Sequence, residues 1–176
     1  MTRTLQLAWA TMRPRRAVPG RAVLDPSVTR MRVHPGDLDL YWHVNNGTYL
    51  QMMDVGRSNF LADLGAFAAL SERGWYPVVA ASTVKYRRSL TLWQRFELVT
   101  RVLGWDERVV FLEQTFRRDE TFIARGIVAG RFLARSGDRI AATEVVDVLG
   151  GALPSPELPP DVRAWASAVD VAQRPG

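Results

Sequence analysis

Two carboxylates in alternation, Asp37 and Asp39, stand just ahead of a turn-rich run holding Trp42, His43, Asn45, Asn46 and Gly47. A helical pattern then runs on to Gly65. A carboxylate placed upstream of a helix N-terminus sits beside backbone N–H groups that have no intrahelical acceptor. A base or nucleophile next to pre-aimed N–H donors supplies two parts of an acyl-transfer site.

Asp39 can activate water against a thioester carbonyl, or attack that carbonyl itself and form an anhydride. Spacing alone equally allows it to cap or tether its own turn. His43 is either a general base or a hydrogen-bonded turn residue. Asn45, Asn46 and Gly47 satisfy turn and cap geometry in either case, and would act chemically through backbone N–H groups. Asp54 is a second carboxylate, three residues before Arg57, the spacing of a helical ion pair. In VKYRRSL, the cations Lys85, Arg87 and Arg88 suit coenzyme phosphates, or the solvent face of a strand.

Positioning these residues falls to a small set of elements. Residues 28–33, VTRMRV, read as a half-buried strand, ended by Pro35-Gly36. Asn45 or Asn46 is the expected N-cap. Leu50, Met53, Phe60, Leu61 and Leu64 recur at helical intervals, and Gly65 suits the C′ position. Residues 66–74 read as a short helix or a loop. Strand patterns follow at 78–90, 96–103, 109–116 and 121–133, with hairpin connections at Gly104-Trp105-Asp106 and Arg118-Asp119-Glu120. Gly126 and Gly130 predict a bulge, a bend or close approach of another backbone. Residues 142–149 suit a short helix started by Thr143 and stopped by Gly150-Gly151. A proline-rich link then leads to a terminal helix at 161–169. One strand, one long helix and four antiparallel strands predict an α+β domain at 25–150, after a basic arm at 1–24 and before a link and helix at 151–176. A free sheet edge favours pairing with a second copy.

Composition bounds the rest. With 176 residues and 47% hydrophobic content, the chain suits one domain with a real core. The absence of cysteine excludes disulfides, thiolate nucleophiles and Cys-ligated zinc. Two histidines make a histidine-rich metal site an unlikely design, so no metal is expected. Lys85 is the only lysine among 23 basic residues, and the arginines are not interleaved with aromatics as in a nucleic-acid module. No apolar run is long enough for a membrane span. In the arm, Leu5, Leu7 and Trp9 precede the charges, the reverse of a signal peptide. These features suit a cytoplasmic protein whose arm packs on the domain.

The stretch DLDLYWHVNNGTYLQMMDVGRSNFLADLG resembles the signature of hotdog-fold acyl-CoA thioesterases of the 4-hydroxybenzoyl-CoA type. Its pattern is D-x-D, then H-V-N-N-x-x-Y-L, then a helix bearing Arg. YRRSLTLWQRFELVTRVLGWDER is similar to later elements of that family, especially the branch called thioesterase superfamily member 6. The likeness covers residues 28–133. It implies five antiparallel strands wrapped on one long helix, with dimers or tetramers whose sites lie between protomers. It assigns the catalytic carboxylate to Asp39 and the N–H that polarises the carbonyl to Asn46. Trp42, His43, Asn45, Gly47, Lys85, Arg87 and Arg88 would then contact substrate. No separate cofactor is implied, since coenzyme A belongs to the substrate. The chain departs from the pattern at Trp42, where members often have Gly, and at Ser89 and Trp93-Gln94, where many have Pro and Gly-Asp.

Three functions follow from this reading. The first is hydrolysis of an acyl-CoA or acyl-carrier-protein thioester. The second, non-catalytic acyl-CoA binding or scaffolding, keeps Asp39 for structural reasons. The third is a hotdog enoyl hydratase or dehydratase, whose turn resembles D-x-N-P-x-H. Here Asp39 stands at the Asn position, Leu40 replaces Pro and His43 falls one residue late.

Overall fold

A computed structural model describes residues 2–171. The arm is helical over Thr2–Met12 (α1), and Ser27–Arg32 (β1) follows. After a single 3₁₀ turn at Pro35–Asp37 comes the long helix α2, Asn46–Asp63. Gly65, at φ 67°, ends it in the left-handed region and opens α3, Ala66–Glu72. Then come β2 (Trp75–Tyr86), β3 (Arg95–Trp105), β4 (Val110–Arg118) and β5 (Thr121–Ala134). A two-residue strand β6 (Arg139–Ile140), α4 (Ala142–Gly150) and α5 (Pro160–Ala168) complete the order.

The long strands form an antiparallel sheet in the order β1-β3-β4-β5-β2, and β6 pairs with β5 as a strand that periodicity did not anticipate. Its inner face packs on α2 through Leu98, Leu112, Phe116 and Val128. Its outer face carries a second core of Leu103, Phe111, Ile127 and Ala129, closed by Val162 and Ala166 of α5. This double covering explains why β4 is buried along nearly its whole length, as the middle strand of the sheet. At Gly126 the close approach is by a side chain and not by another backbone: a Cβ there would lie 2.4 Å from Cε of Met53 on α2.

β1 is the expected half-buried strand: it buries Ser27, Thr29 and Met31 and exposes Val28, and Asn59 of α2 donates to the Thr29 hydroxyl at 3.1 Å. Other local expectations need correction. The buried stripe of α2 runs through Tyr49, Met52, Met53, Gly56 and Phe60, and Leu50, about one residue's rotation away, faces solvent. β3 continues through Trp105, so the hairpin turns at Asp106, whose carboxylate accepts from the N–H groups of Arg108 and Val109. β2 stops at Tyr86, leaving Arg87 and Arg88 beyond its end. Ala141, not Thr143, is the N-cap of α4. No helix among the described residues is long and apolar enough to cross a membrane.

Candidate active site

Asp39 sits at the head of a tight hairpin closed by a bridge between Leu38 and Val44. Its backbone N–H donates to the His43 carbonyl at 2.8 Å, and its carbonyl accepts from Trp42 N–H at 3.1 Å. Its Oδ1 accepts from the N–H of Tyr41 at 2.8 Å and of His43 at 3.3 Å. One carboxylate oxygen therefore organises the turn. The other accepts no hydrogen bond among the described residues.

The hairpin delivers the chain to α2 through Asn45, the N-cap, whose Oδ1 accepts from Gly47 N–H at 2.8 Å. Thr48 N–H donates to the Asn45 carbonyl at 2.9 Å. Asn46 N–H is thus the first donor of an 18-residue helix, and among the described residues it has no acceptor. The Asn46 carbonyl accepts from the Tyr86 hydroxyl at 3.1 Å, which ties the helix start to the end of β2. Asn45, Asn46, Gly47 and His43 are all exposed.

Trp42 takes φ 59° and Trp93 takes φ 64°, both in the left-handed region that suits glycine. These are the two places where a Gly of the resembled pattern is replaced by Trp, so each indole is presented from a strained backbone. Trp93 is braced by Arg32, whose guanidinium lies 4.9 Å from the ring centre, and by an edge contact with His34. Trp42 has no such brace among the described residues, and with its chain neighbours Leu40 and Tyr41 it is exposed by 71–96%.

Asp37 has a different fate from Asp39. It is buried, and Arg3 of α1 donates to both its oxygens, at 2.9 and 2.6 Å, while His34 N–H donates at 2.7 Å. The Arg3 partner, 34 residues away, has no local signature in sequence. Lys85 alternates with Tyr86 along β2 and so faces away from the helix start. Arg87 and Arg88 lie exposed at the strand's end, their N–H groups held by the Ile123 carbonyl.

Of the candidate residues read from the sequence, Asp54 alone lines an apolar cavity of about 520 Å³. Its walls come from α1, α2, α3, α4, the first half of β2 and the inner face of β3, β4 and β5, and include Leu7, Leu61, Phe67, Val78, Leu112 and Val146. The volume and apolar lining are those of a small-molecule site. Asp54 is the carboxylate in that lining. It forms the expected ion pair with Arg57, and burial pushes its carboxyl up from the ordinary aspartate value against the opposing pull of that arginine. Arg57 also donates to Oε1 of the fully buried Gln114 at 2.7 Å, and Gln114 donates onward to the Met53 carbonyl and the Thr100 hydroxyl. A carboxylate on the helix was legible in sequence; its cavity was not, because that depends on how α1 and α3 close over α2. No cluster of metal-ligating side chains exists among the described residues.

Residues 33–166 match the family model of the thioesterase-like superfamily. Protein THEM6 of Xenopus laevis is 34% identical over 135 residues, covering 76% of this chain and 63% of that protein. Protein THEM6 of Danio rerio is 40% identical over 108 residues, covering 61% and 54%. The chain thus spans about half to two thirds of the length of these relatives. Among solved structures, a probable thioesterase from Bartonella henselae superposes with TM-score 0.62 at 22% identity, over 66% of this chain and 98% of that one. A gentisyl-coenzyme A thioesterase superposes with TM-score 0.62 at 21% identity, over 70% and 98%. These likenesses place the fold in the hotdog class.

Proposed function

Because the chain belongs to the thioesterase-like superfamily, we propose that it hydrolyses a coenzyme A or acyl-carrier-protein thioester at the turn formed by Asp39 and the start of α2. The observation that carries this reading is the acceptor-free Asn46 N–H beside a carboxylate with one uncommitted oxygen. Asp39 takes a proton from water, and the hydroxide adds to the thioester carbonyl carbon. The oxygen that becomes negative is met by the Asn46 N–H, reinforced by the positive end of α2. The C–S bond then breaks and the thiolate leaves. A thiol pKa of about 8.5 means that departure needs little protonation. Direct attack by Asp39 gives an anhydride that water hydrolyses, and the same two groups serve that route.

A second copy of the chain completes the site in this account. Among the described residues β2 has a strand partner on one side only, and it runs for 12 residues along the sheet edge. Such an edge is a template for pairing. At the opposite edge, by contrast, Arg15 donates to the Val28 carbonyl and Arg3 to that of Arg32. Pairing through β2 would bring Lys85, Arg87, Arg88 and the exposed Leu40–Trp42 cluster to the boundary between copies, where they suit coenzyme phosphates and an acyl group. The gentisyl-coenzyme A thioesterase of the same fold supports a coenzyme A ester as substrate. The cysteine-free composition fits a cytoplasmic setting.

One observation favours a second reading: Asp54, not Asp39, faces the apolar cavity, with its carboxyl raised by burial above the ordinary aspartate value. Thiol release measured for the wild type, Asp39→Asn and Asp54→Asn separates the two. Loss confined to Asp39→Asn supports the first reading, and loss confined to Asp54→Asn supports the second. Tight acyl-CoA binding with no release by any form would point to a non-catalytic binder.

A further inference from the structure

Helix α1 is a wall on one side and a bare apolar face on the other. Its inner side seats Arg3 on Asp37, buries Ala10, and turns Leu7 and Thr11 into the cavity. Its outer side carries Leu5, Trp9 and Met12 at i, i+4 and i+7, exposed by 71%, 62% and 81%. Scattered exposed apolar residues need no explanation, but three large ones in register on one three-turn helix do.

The charges around that face have one sign. Residues 1–24 contain Arg3, Arg13, Arg15, Arg16 and Arg21, and the first acidic residue is Asp25. Arg3 is paired with Asp37, while Arg15 and Arg21 reach Asp63 at the far end of α2. These pairs pin both ends of the arm to the domain. Arg13 and Arg16 are left exposed past the end of the helix, and the Arg13 guanidinium stacks 4.8 Å over Trp9. A tryptophan with an arginine on it, flanked by Leu and Met and without a carboxylate nearby in sequence, suits the boundary between acyl chains and phosphate headgroups. A second copy seated on the same stripe would bring further arginines and no acidic residue from its own arm to meet them.

We propose that α1 docks the protein on an anionic lipid surface, with Leu5, Trp9 and Met12 in the acyl boundary and Arg13 and Arg16 at the phosphates. The helix is held to the domain by the buried Arg3–Asp37 pair, so docking sets the orientation of the whole fold and lays one wall of the cavity against the lipid. The inference is independent of the thioester chemistry, which thiol release reads separately.

The test is flotation of the full chain with vesicles of phosphatidylcholine alone and of phosphatidylcholine mixed with phosphatidylglycerol. The protein should float with the mixed vesicles and stay behind with phosphatidylcholine alone. The variant Leu5→Ser/Trp9→Ser/Met12→Ser, and separately Arg13→Gln/Arg16→Gln, should each lower the bound fraction roughly tenfold or more. All five side chains are exposed, and an unchanged far-UV spectrum verifies the fold. The proposal is overturned by absent flotation, by equal binding to both vesicle types, or by variants that bind like the wild type. It is equally overturned if, without lipid, the serine variant lowers the molecular mass, since the stripe would then be a protein interface.

Discussion

Replacing Asp37 with alanine would strip Arg3 of both carboxylate oxygens while leaving its guanidinium inside the protein. The side chains of Arg3 and Asp37 are 2% and 0% exposed, so water does not take over the lost contacts. His34 N–H loses its acceptor at the same time. Removing one partner of a buried ion pair costs about 3–5 kcal/mol, because the other charge is left uncompensated. Against a total stability of roughly 5–15 kcal/mol, that is a large share. For a chain of this size it corresponds to a fall in Tm of roughly 6–20 °C. Thermal and urea unfolding followed by circular dichroism should show this loss for Asp37→Ala and a similar one for Arg3→Ala. The double variant Arg3→Met/Asp37→Leu should recover most of it, since an apolar pair of similar volume replaces the ions. Asp39→Asn should change stability by no more than about 1 kcal/mol, as the Asn Oδ1 can still accept from Tyr41 and His43. A loss under about 1 kcal/mol for Asp37→Ala, or an equal loss for Asp39→Asn, would refute the division of labour between the two aspartates.

Other perturbations probe the remaining parts. A Cβ at Gly56 would lie 2.7 Å from Leu98 Cδ2 and 2.9 Å from Gln114 Nε2, so Gly56→Ala should destabilise the fold in urea unfolding. An overpacking cost of about 1–3 kcal/mol exceeds the roughly 1 kcal/mol gained in helix propensity. Trp42→Gly should leave stability unchanged or raise it by about 1 kcal/mol, because relief of the left-handed strain offsets the entropy of glycine. The same variant should broaden acyl preference when KM is compared across chain lengths. If Asp54 is the base, the acid limb of kcat/KM should lie above the ordinary aspartate value, since burial raises its carboxyl. Protonation then silences the enzyme as pH falls through that raised value, and Asp54→Asn abolishes the limb together with activity.

The sequence carries the local parts of this design and hides the distant ones. The Asn45 cap, the span of α2 and its stop at Gly65 are written in residues that act within a turn of themselves. The same holds for the Asp39 hairpin, whose bonds lie within four residues. The anchoring of Asp37 by Arg3 and the closure of the outer sheet face by α5 join segments that no periodicity links. The half-buried character of β1 was legible in its alternation, while the hydrogen bond that Asn59 of α2 donates to Thr29 was not. The two positive-φ tryptophans were legible only as departures from a glycine pattern. Backbone geometry gives those departures their meaning.

Thiol release from a panel of acyl-CoAs, by the wild type and Asp39→Asn side by side, tests the central claim most directly. The wild type should turn over at least one acyl-CoA, and the variant should lose roughly 10²- to 10⁴-fold in kcat with folding intact. Equal rates for the two proteins, or no release from any member of the panel, would contradict it.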